Sequence, residues 1–504
     1  MRGAYIIKND HDNKLIESVK EELLACPFFN SDYGEVIKYP IFREKTKYLC
    51  LPRFYKNKKL TIKRKFTTGD EADTKFTQNL RPKQIEIAND CLEKIKNVSG
   101  GIINLPCGYG KTVIALYLAA KLKIKTLVIV HKTFLQDQWI ERAKQFTDAK
   151  IGTIRQNKID TENKDIVIGM LQSISMKDYD ANLFDQFGLV IYDEAHHIIS
   201  KVFSNALFKI NPQYIIGLSA TPYRSGNLTK GLMLHLGKMI YKIDKKEDEK
   251  AIVKVFHYKT IHKLFEEKKI WMKGKVAPNS QKMINNICEL ECRNRILVDI
   301  IYNMWKIEDR KILVLSGRTS KIEHLKMLKE LLQNKIKEEI KEGKLLNDEC
   351  RLHYYTGKTS QLERSEAEKH ADIIFATYEM AHEGLDIPRL NTMIMTTPKT
   401  NVQQAVGRIM RNASSDVFIT PLIIDVVDEL STFPKQYEKR EKLYKKLNYQ
   451  IESYHLDTDH LITKRQYLKK KYNCTDEELV NEFNDKNPDY EPDLEKILST
   501  TTDI

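Results

Sequence analysis

The sequence predicts an α/β protein with two successive sheets, each mostly parallel with helices on both faces. A small N-terminal α+β domain precedes them and a charged helical C-terminal tail follows. Three observations carry this. Short apolar, β-branched runs alternate with helical patterns twice over, from Phe76 and again from Arg310, as parallel sheets covered by helices require. A glycine-bearing turn, Leu105-Pro-Cys-Gly-Tyr-Gly-Lys-Thr112, joins one such run to a helix. The chain's 504 residues exceed one ordinary core, and a hydrophobic content of 41% can fill several.

Residues 1–75 form the accessory domain, with a helix from Asn13 to Ala25, a strand Tyr48-Leu-Cys-Leu51 and a basic run, Lys56 to Lys65. That run reads as a solvated edge loop or as a contact to a phosphate backbone. The polar, turn-rich Thr67 to Thr74 reads as a linker. Residues 76–245 carry the first sheet, with strands at Gly101–Leu105, Thr126–Val130, Ile166–Gly169, Leu189–Tyr192 and Tyr214–Leu218. Residues 246–430 carry the second, at Lys311–Leu315, Leu352–Tyr355, Asp372–Ala376, Thr392–Thr396 and Ile419–Ile424. From 431 to 504 the chain is charged, with helices at Phe433–Leu447 and Leu461–Tyr472.

Net charge is +14, so an anionic partner such as nucleic acid is plausible, although lysine-rich solvated helix faces give the same balance. Eight scattered cysteines do not form a disulfide framework. They point to a reducing compartment. Cys288 and Cys292 lack a second pair at ligand spacing, so they read as core thiols rather than zinc ligands. The sequence shows no signal-length apolar run at Met1 and nothing of membrane-spanning length, so a soluble intracellular protein without a membrane partner is expected.

Strand, glycine turn, helix is the context of a phosphate-binding loop. Cys107, Gly108, Tyr109 and Gly110 would present backbone N–H groups to phosphates at a helix N-terminus. Lys111 would reach the β- and γ-phosphates and Thr112 would hold Mg²⁺. A plain helix start is the bland alternative, and Leu105 stands where the strict pattern wants glycine. The acidic pair after Leu189-Val-Ile-Tyr192 weighs against it: Asp193 would coordinate Mg²⁺, and Glu194 would deprotonate the attacking water. In the second alternation, Arg408 and Arg411 fall on one helix face and can reach a common target such as a γ-phosphate, unless they only pair with acids on a surface.

These blocks, over roughly Leu80 to Asp425, resemble the superfamily-two helicases, which have two RecA-like domains with ATP in the cleft between them. The resemblance implies that Gln84, in Leu80-Arg-Pro-Lys-Gln84, reads the adenine. It implies that Gly384 and Asp386 contact the nucleotide, and that Gln404, Arg408 and Arg411 complete the hydrolytic site. Ser219, Ala220 and Thr221, with His196 of Asp193-Glu-Ala-His196, would couple that site to nucleic acid. His131, Lys132, Thr133, Gln172, Ser173, Gly317, Arg318 and Thr377 match backbone-gripping positions. The short interval from Asp386 to Gln404 leaves no room for the long hairpin of the spliceosomal DEAH type. The phosphate loop Leu-Pro-Cys-Gly-x-Gly-Lys and the Gln138-Trp139 pair resemble the branch with the TFIIH translocase subunit, restriction-enzyme motors and the helicases of poxviruses and other large DNA viruses. Cys292-Arg-Asn-Arg295 and Arg440-Glu-Lys-Leu-Tyr-Lys445 look closest to the viral members. The expected function is therefore a monomeric, ATP- and Mg²⁺-dependent nucleic-acid motor, on DNA in preference to RNA. It would serve transcription or replication in a host cytoplasm or virion. An RNA helicase is the alternative within the class, and a regulator using ATP only as a clamp is the alternative outside it.

Overall fold

The computed structural model describes residues 2–25, 38–106, 109–180, 182–200, 202–220, 228–243, 250–272, 274–318, 323–345, 349–383, 385, 387–410 and 419–456. The chain divides into two compact units, Met1–Lys245 and Lys246–Ile504.

In the first unit the N-terminal segment forms a four-stranded antiparallel sheet. Gly3–Ile7 lies between Tyr48–Leu51 and Lys63–Lys65. The last of these is the end of the expected basic run, an exposed lysine-rich edge strand that discourages further pairing. Helix Asn13–Glu22 buries Ile16 and Val19 against Ile6, Leu49 and Leu51. Arg53 fastens this segment to the rest of the unit by donating to the carbonyls of Ser99, Pro212 and Gln213. Burial lowers its pKa to about 10. The expected linker is also pinned: Asp70 N–H donates to Gln186, Ala72 N–H to Lys123, and Lys125 N–H to Asp70. A Cβ at Gly69 would lie 2.0 Å from Gly188 N, so only glycine lets these two backbone segments meet.

The central sheet of this unit contains β1 (Gly100–Asn104), β2 (Thr126–Val130), β3 (Ile151–Arg155), β4 (Lys158–Asp160), β5 (Ile166–Met170), β6 (Leu189–Tyr192), β7 (Tyr214–Ser219) and β8 (Met239–Lys242). Its order is β4-β3-β5-β2-β6-β7-β1-β8, parallel except for β4. Strands β1, β2, β5 and β6 are buried along their whole length, because helices cover both faces. Those helices include α1 (Pro82–Val98), α2 (Lys111–Leu122), α3 (Thr133–Phe146) and α4 (Leu171–Met176).

The second unit is a seven-stranded, wholly parallel sheet. Its strands are β9 (Ile252–Tyr258), β10 (Ile312–Ser316), β11 (Leu352–Tyr355), β12 (Ile373–Thr377), β13 (Thr392–Met395), β14 (Leu422–Asp428) and β15 (Gln450–Leu456), ordered β11-β12-β10-β13-β14-β9-β15. Its helices are α5 (Ser280–Glu289), α6 (Glu291–Lys306), α7 (His324–Lys341), α8 (Gln361–His370), α9 (Tyr378–Glu383), α10 (Gln403–Ile409) and α11 (Phe433–Lys446). The expected helical tail begins with α11, but the chain then returns to the sheet as β15, paired in parallel with β9. The expected helix at Leu461–Tyr472 lies outside the described residues.

Two buried ion pairs hold β14. Arg293 of α6 makes a bidentate bridge to Asp428, at 2.6 and 2.8 Å, and Arg440 of α11 makes one to Asp425, at 2.8 and 2.8 Å. Burial opposes charge on both guanidinium groups, but the facing carboxylates outweigh it and hold each above its ordinary pKa. Tyr444 adds a hydroxyl donor to Asp425 at 3.0 Å. Both arginines belong to the stretches that look viral, so those stretches mark one strand's anchorage. Among the described residues, no helix is long and apolar enough to cross a membrane.

Candidate active site

Parallel register brings the polar turns of the first unit to one sheet edge. Met170 pairs with Val130, Tyr192 with Ile129 and Gly217, and Ser219 with Asn104. The residues that follow these strand ends therefore gather there.

Helix α2 starts directly after Gly110, whose φ of 79° is left-handed. A Cβ at Gly110 would lie 2.3 Å from Gln84 Nε2, so glycine meets two demands at once, the conformation and the close approach. Gln84 is buried in the first turn of α1. Its Oε1 accepts from Arg81 N–H at 3.1 Å and its Nε2 donates to the Tyr109 carbonyl at 3.0 Å, bracing the turn from behind. Lys111 Nζ donates to the Leu105 carbonyl at 3.2 Å, and Thr112 stands partly exposed beside it. Cys107 and Gly108 lie outside the described residues.

Asp193 and Glu194 leave β6 at the same edge. Asp193 Oδ1 accepts from Glu194 N–H at 3.0 Å and Oδ2 accepts from the Trp139 indole N–H at 2.8 Å. Trp139, on α3, is buried, and an enclosed indole N–H needs such a partner. Burial, then the charge of Glu194, raises the Asp193 pKa, while Trp139 and Lys111 act to lower it. Glu194 adopts φ 45°, ψ 51°, an uncommon left-handed backbone for a residue with a side chain, and its carboxylate is buried. His196 Nδ1 lies 3.3 Å from Glu194 Oε2 and 3.1 Å from Ser219 Oγ, linking the ends of β6 and β7. His197 stacks between His196 and His131, with ring centroids 4.3 and 4.0 Å away. Ala220 follows Ser219 at this edge, and Thr221 lies outside the described residues.

The remaining turns of this edge divide by exposure. Lys132 is partly exposed and Thr133 exposed at the start of α3, whereas His131 and Ser173 are buried. Gln172 donates to the His131 carbonyl and Ser173 Oγ accepts from Gln156 N–H at 2.9 Å.

In the second unit, Gly317 and Arg318 follow β10. Gly317 N–H donates to Thr397 Oγ1 at 2.9 Å, and the Arg318 guanidinium reaches the Gln281 carbonyl at 3.4 Å. Thr377 Oγ1 accepts from Met380 N–H at 3.2 Å, opening α9. On α10, Arg408 is buried, with Nε donating to Ala381 at 2.8 Å and Nη2 to His382. Gln404 Nε2 is buried and finds no hydrogen-bond partner among the described residues. Gly384, Asp386 and Arg411 lie outside them.

The donor set of the first unit fits a magnesium-bound nucleoside triphosphate: a helix N-terminus, a lysine, a threonine hydroxyl and one carboxylate at the same sheet edge. Magnesium is typically held by one or two carboxylates together with phosphate oxygens, and among the described residues no cluster of three or more His, Cys, Asp or Glu could form a separate metal cage. Sequence reasoning gave Trp139 no part in this site. A tryptophan at the end of the second turn of a helix that leaves the same edge was the available signal.

Residues 77–224 match the family described as Type III restriction enzyme, res subunit, and residues 292–413 match the family described as helicase conserved C-terminal domain. A protein of Acanthamoeba polyphaga mimivirus named as an ATP-dependent RNA helicase, L396, is 34% identical over 93% of this chain and 90% of its own length. Helicase 161L of Invertebrate iridescent virus 6 is 27% identical over 76% of this chain and 84% of its own. Among solved structures, the DNA-bound Type ISP restriction-modification enzyme LlaBIII shares the fold, with a TM-score of 0.51 at 16% identity, over 78% of this chain and 32% of that one.

Proposed function

This chain belongs to the superfamily-two helicases, with helicases of large DNA viruses as its relatives, and from that premise we propose that it is a motor that tracks along one strand of DNA. It is an ATP-hydrolysing enzyme. The observation that carries the site assignment is the Asp193–Glu194 pair at the carboxyl end of β6, with Lys111 close enough to act on Asp193.

Bound magnesium would supply charge neutralisation at the phosphates. Thr112 and Asp193 would hold it, with Trp139 fixing the orientation of Asp193. Glu194 would take the proton of the attacking water, held in place by the left-handed turn that aims it. Lys111 would leave the Leu105 carbonyl for the phosphates. The family likeness makes Gln404, Arg408 and Arg411 the proposed further members of the hydrolytic machinery, and Arg408 would have to release the Ala381 and His382 carbonyls to act. Lys132 and Arg318 are the charged members of the proposed strand contacts, and Thr133 is exposed; Ser173 would act through its hold on Gln156.

The likeness of residues 77–224 to a restriction-enzyme subunit favours DNA. The name of the mimivirus relative favours RNA as a second reading. Steady-state ATPase measured without nucleic acid, with single-stranded DNA, with duplex DNA and with matched RNA, at one low ionic strength, separates them. Stimulation by DNA is expected. Stimulation by RNA alone would replace DNA with RNA and leave the site intact, and no stimulation by any of them would overturn the motor.

A further inference from the structure

The second unit carries an antiparallel hairpin, Lys269–Met272 with Lys275–Pro278, that neither sheet absorbs. Its base is anchored. Phe265 is buried edge-on to Tyr258 at 5.6 Å, Ser431 Oγ donates to Glu267 at 2.6 Å, and Asn279 N–H donates to the Lys268 carbonyl at 2.6 Å. Beyond that base three large apolar side chains are bare: Trp271 is 70% exposed, Val276 59% and Ile270 40%. Gly274 closes the tip at φ 78°, with nothing within 4 Å of its Cβ position.

A two-stranded ribbon gains little stability by itself, so a bare tryptophan on it needs a reason outside the fold. The chain has three tryptophans; Trp139 is buried and Trp305 packs on the second core, which leaves Trp271 as the outlier. Trp271 lies directly opposite Val276 on one face of the ribbon, and Lys269, two residues earlier, shares that face and reaches Glu267 at 3.4 Å. Between Lys259 and Pro278 stand six lysines and two glutamates. An aromatic plane within a basic segment is the chemistry of a site that stacks bases and neutralises phosphates, and it is sequence-tolerant because every base has a π-face.

We propose that this hairpin is a nucleic-acid contact additional to the sheet-edge residues, on which Trp271 stacks a base of a single strand while the neighbouring lysines meet its phosphates. The inference rests on the motor reading. The test is anisotropy with the full chain, without nucleotide, on two labelled oligomers of equal length, oligo-dT and an abasic tetrahydrofuran strand. Oligo-rU replaces oligo-dT if RNA proves the substrate. Trp271→Ala should weaken oligo-dT binding roughly tenfold and abasic binding not at all, Trp271→Phe should retain most affinity, and ATPase without nucleic acid should be unchanged. Equal binding of oligo-dT by wild type and Trp271→Ala would overturn the hairpin's role while leaving the motor standing, as would an equal loss on both oligomers. Wild type binding neither oligomer would overturn the motor reading itself, and the hairpin's role with it.

Discussion

At the scale of single residues, the proposed site is decided by how few freedoms its acids retain. Asp193 has one oxygen held by the backbone and the other by Trp139, so its orientation is set before any ligand arrives. Partners that orient a metal-binding carboxylate typically matter 10- to 100-fold. Trp139→Phe keeps the aromatic packing and removes the donor. It should raise the Mg²⁺ concentration for half-maximal ATPase about tenfold with little change in nucleotide-free melting temperature; an unchanged Mg²⁺ dependence would sink the role. Glu194→Gln removes the proposed base without removing the carbonyl dipole, so it should bind ATP normally and lose roughly 10²–10⁴ in turnover. Filter binding beside single-turnover hydrolysis reads both quantities, and wild-type turnover would refute the assignment. Lys111, Thr112, Asp193 and Glu194 were legible because each motif is contiguous in the chain. Trp139 was not, because its partner lies 54 residues further on and only the parallel register of β2 and β6 brings them together.

At the scale of elements, legibility follows burial. Strands such as β2 and β6 are continuous apolar runs because both faces are covered, and the sequence expectation for each matches residue for residue. Edge strands do not announce themselves: β15 mixes polar and apolar residues without a clean alternation, and its partner β9 lies almost two hundred residues earlier. Strand β9 was missed because Lys254 interrupts its apolar run, yet that lysine is buried, 3.7 Å from Glu452 of β15. The same edge depends on α11, which is pinned by Arg440 to Asp425. Removing one member of a buried ion pair leaves an uncompensated charge, at a cost of about 3–5 kcal/mol, whereas replacing both by apolar groups is often near neutral. Arg440→Met should therefore destabilise the second unit by that amount. Adding Asp425→Leu together with Tyr444→Phe, so that no buried hydroxyl is left without its acceptor, should recover much of it. Urea unfolding monitored on the second unit gives the comparison, and equal losses in the single and triple variants would refute a charge-based origin.

For the whole molecule, acid sensitivity is built into both units by buried histidines, of which His324 and His235 are the most strongly shifted among the described residues. In the second unit His324 is fully enclosed between Ser316 Oγ, 3.0 Å from Nδ1, and Asn294 Oδ1, 3.1 Å from Nε2. Because Asn294 spends its amide nitrogen on the Cys288 carbonyl, its oxygen must accept, which fixes the proton of His324 on Nε2. In the first unit His235 is buried edge-on to Phe208 at 5.2 Å. Burial lowers both pKa values to about 3. The unfolded chain takes up a proton near pH 6.5, while the folded chain does not until about 3. Stability is therefore complete above about 6.5 and falls as pH drops through that value, by about 1.4 kcal/mol per pH unit for each histidine. Carboxylates alone would delay such a loss to about pH 4. Peptide-resolved hydrogen exchange at pH 7.5 and 5.5, corrected for intrinsic rates, should show protection falling in β10 and in Leu228–Leu236 alike. His324→Gln keeps a donor and an acceptor without titrating, so it should abolish the pH dependence attributable to this site in β10 while leaving that of the first unit untouched. A loss in β10 that persists undiminished in His324→Gln would assign the acid sensitivity elsewhere.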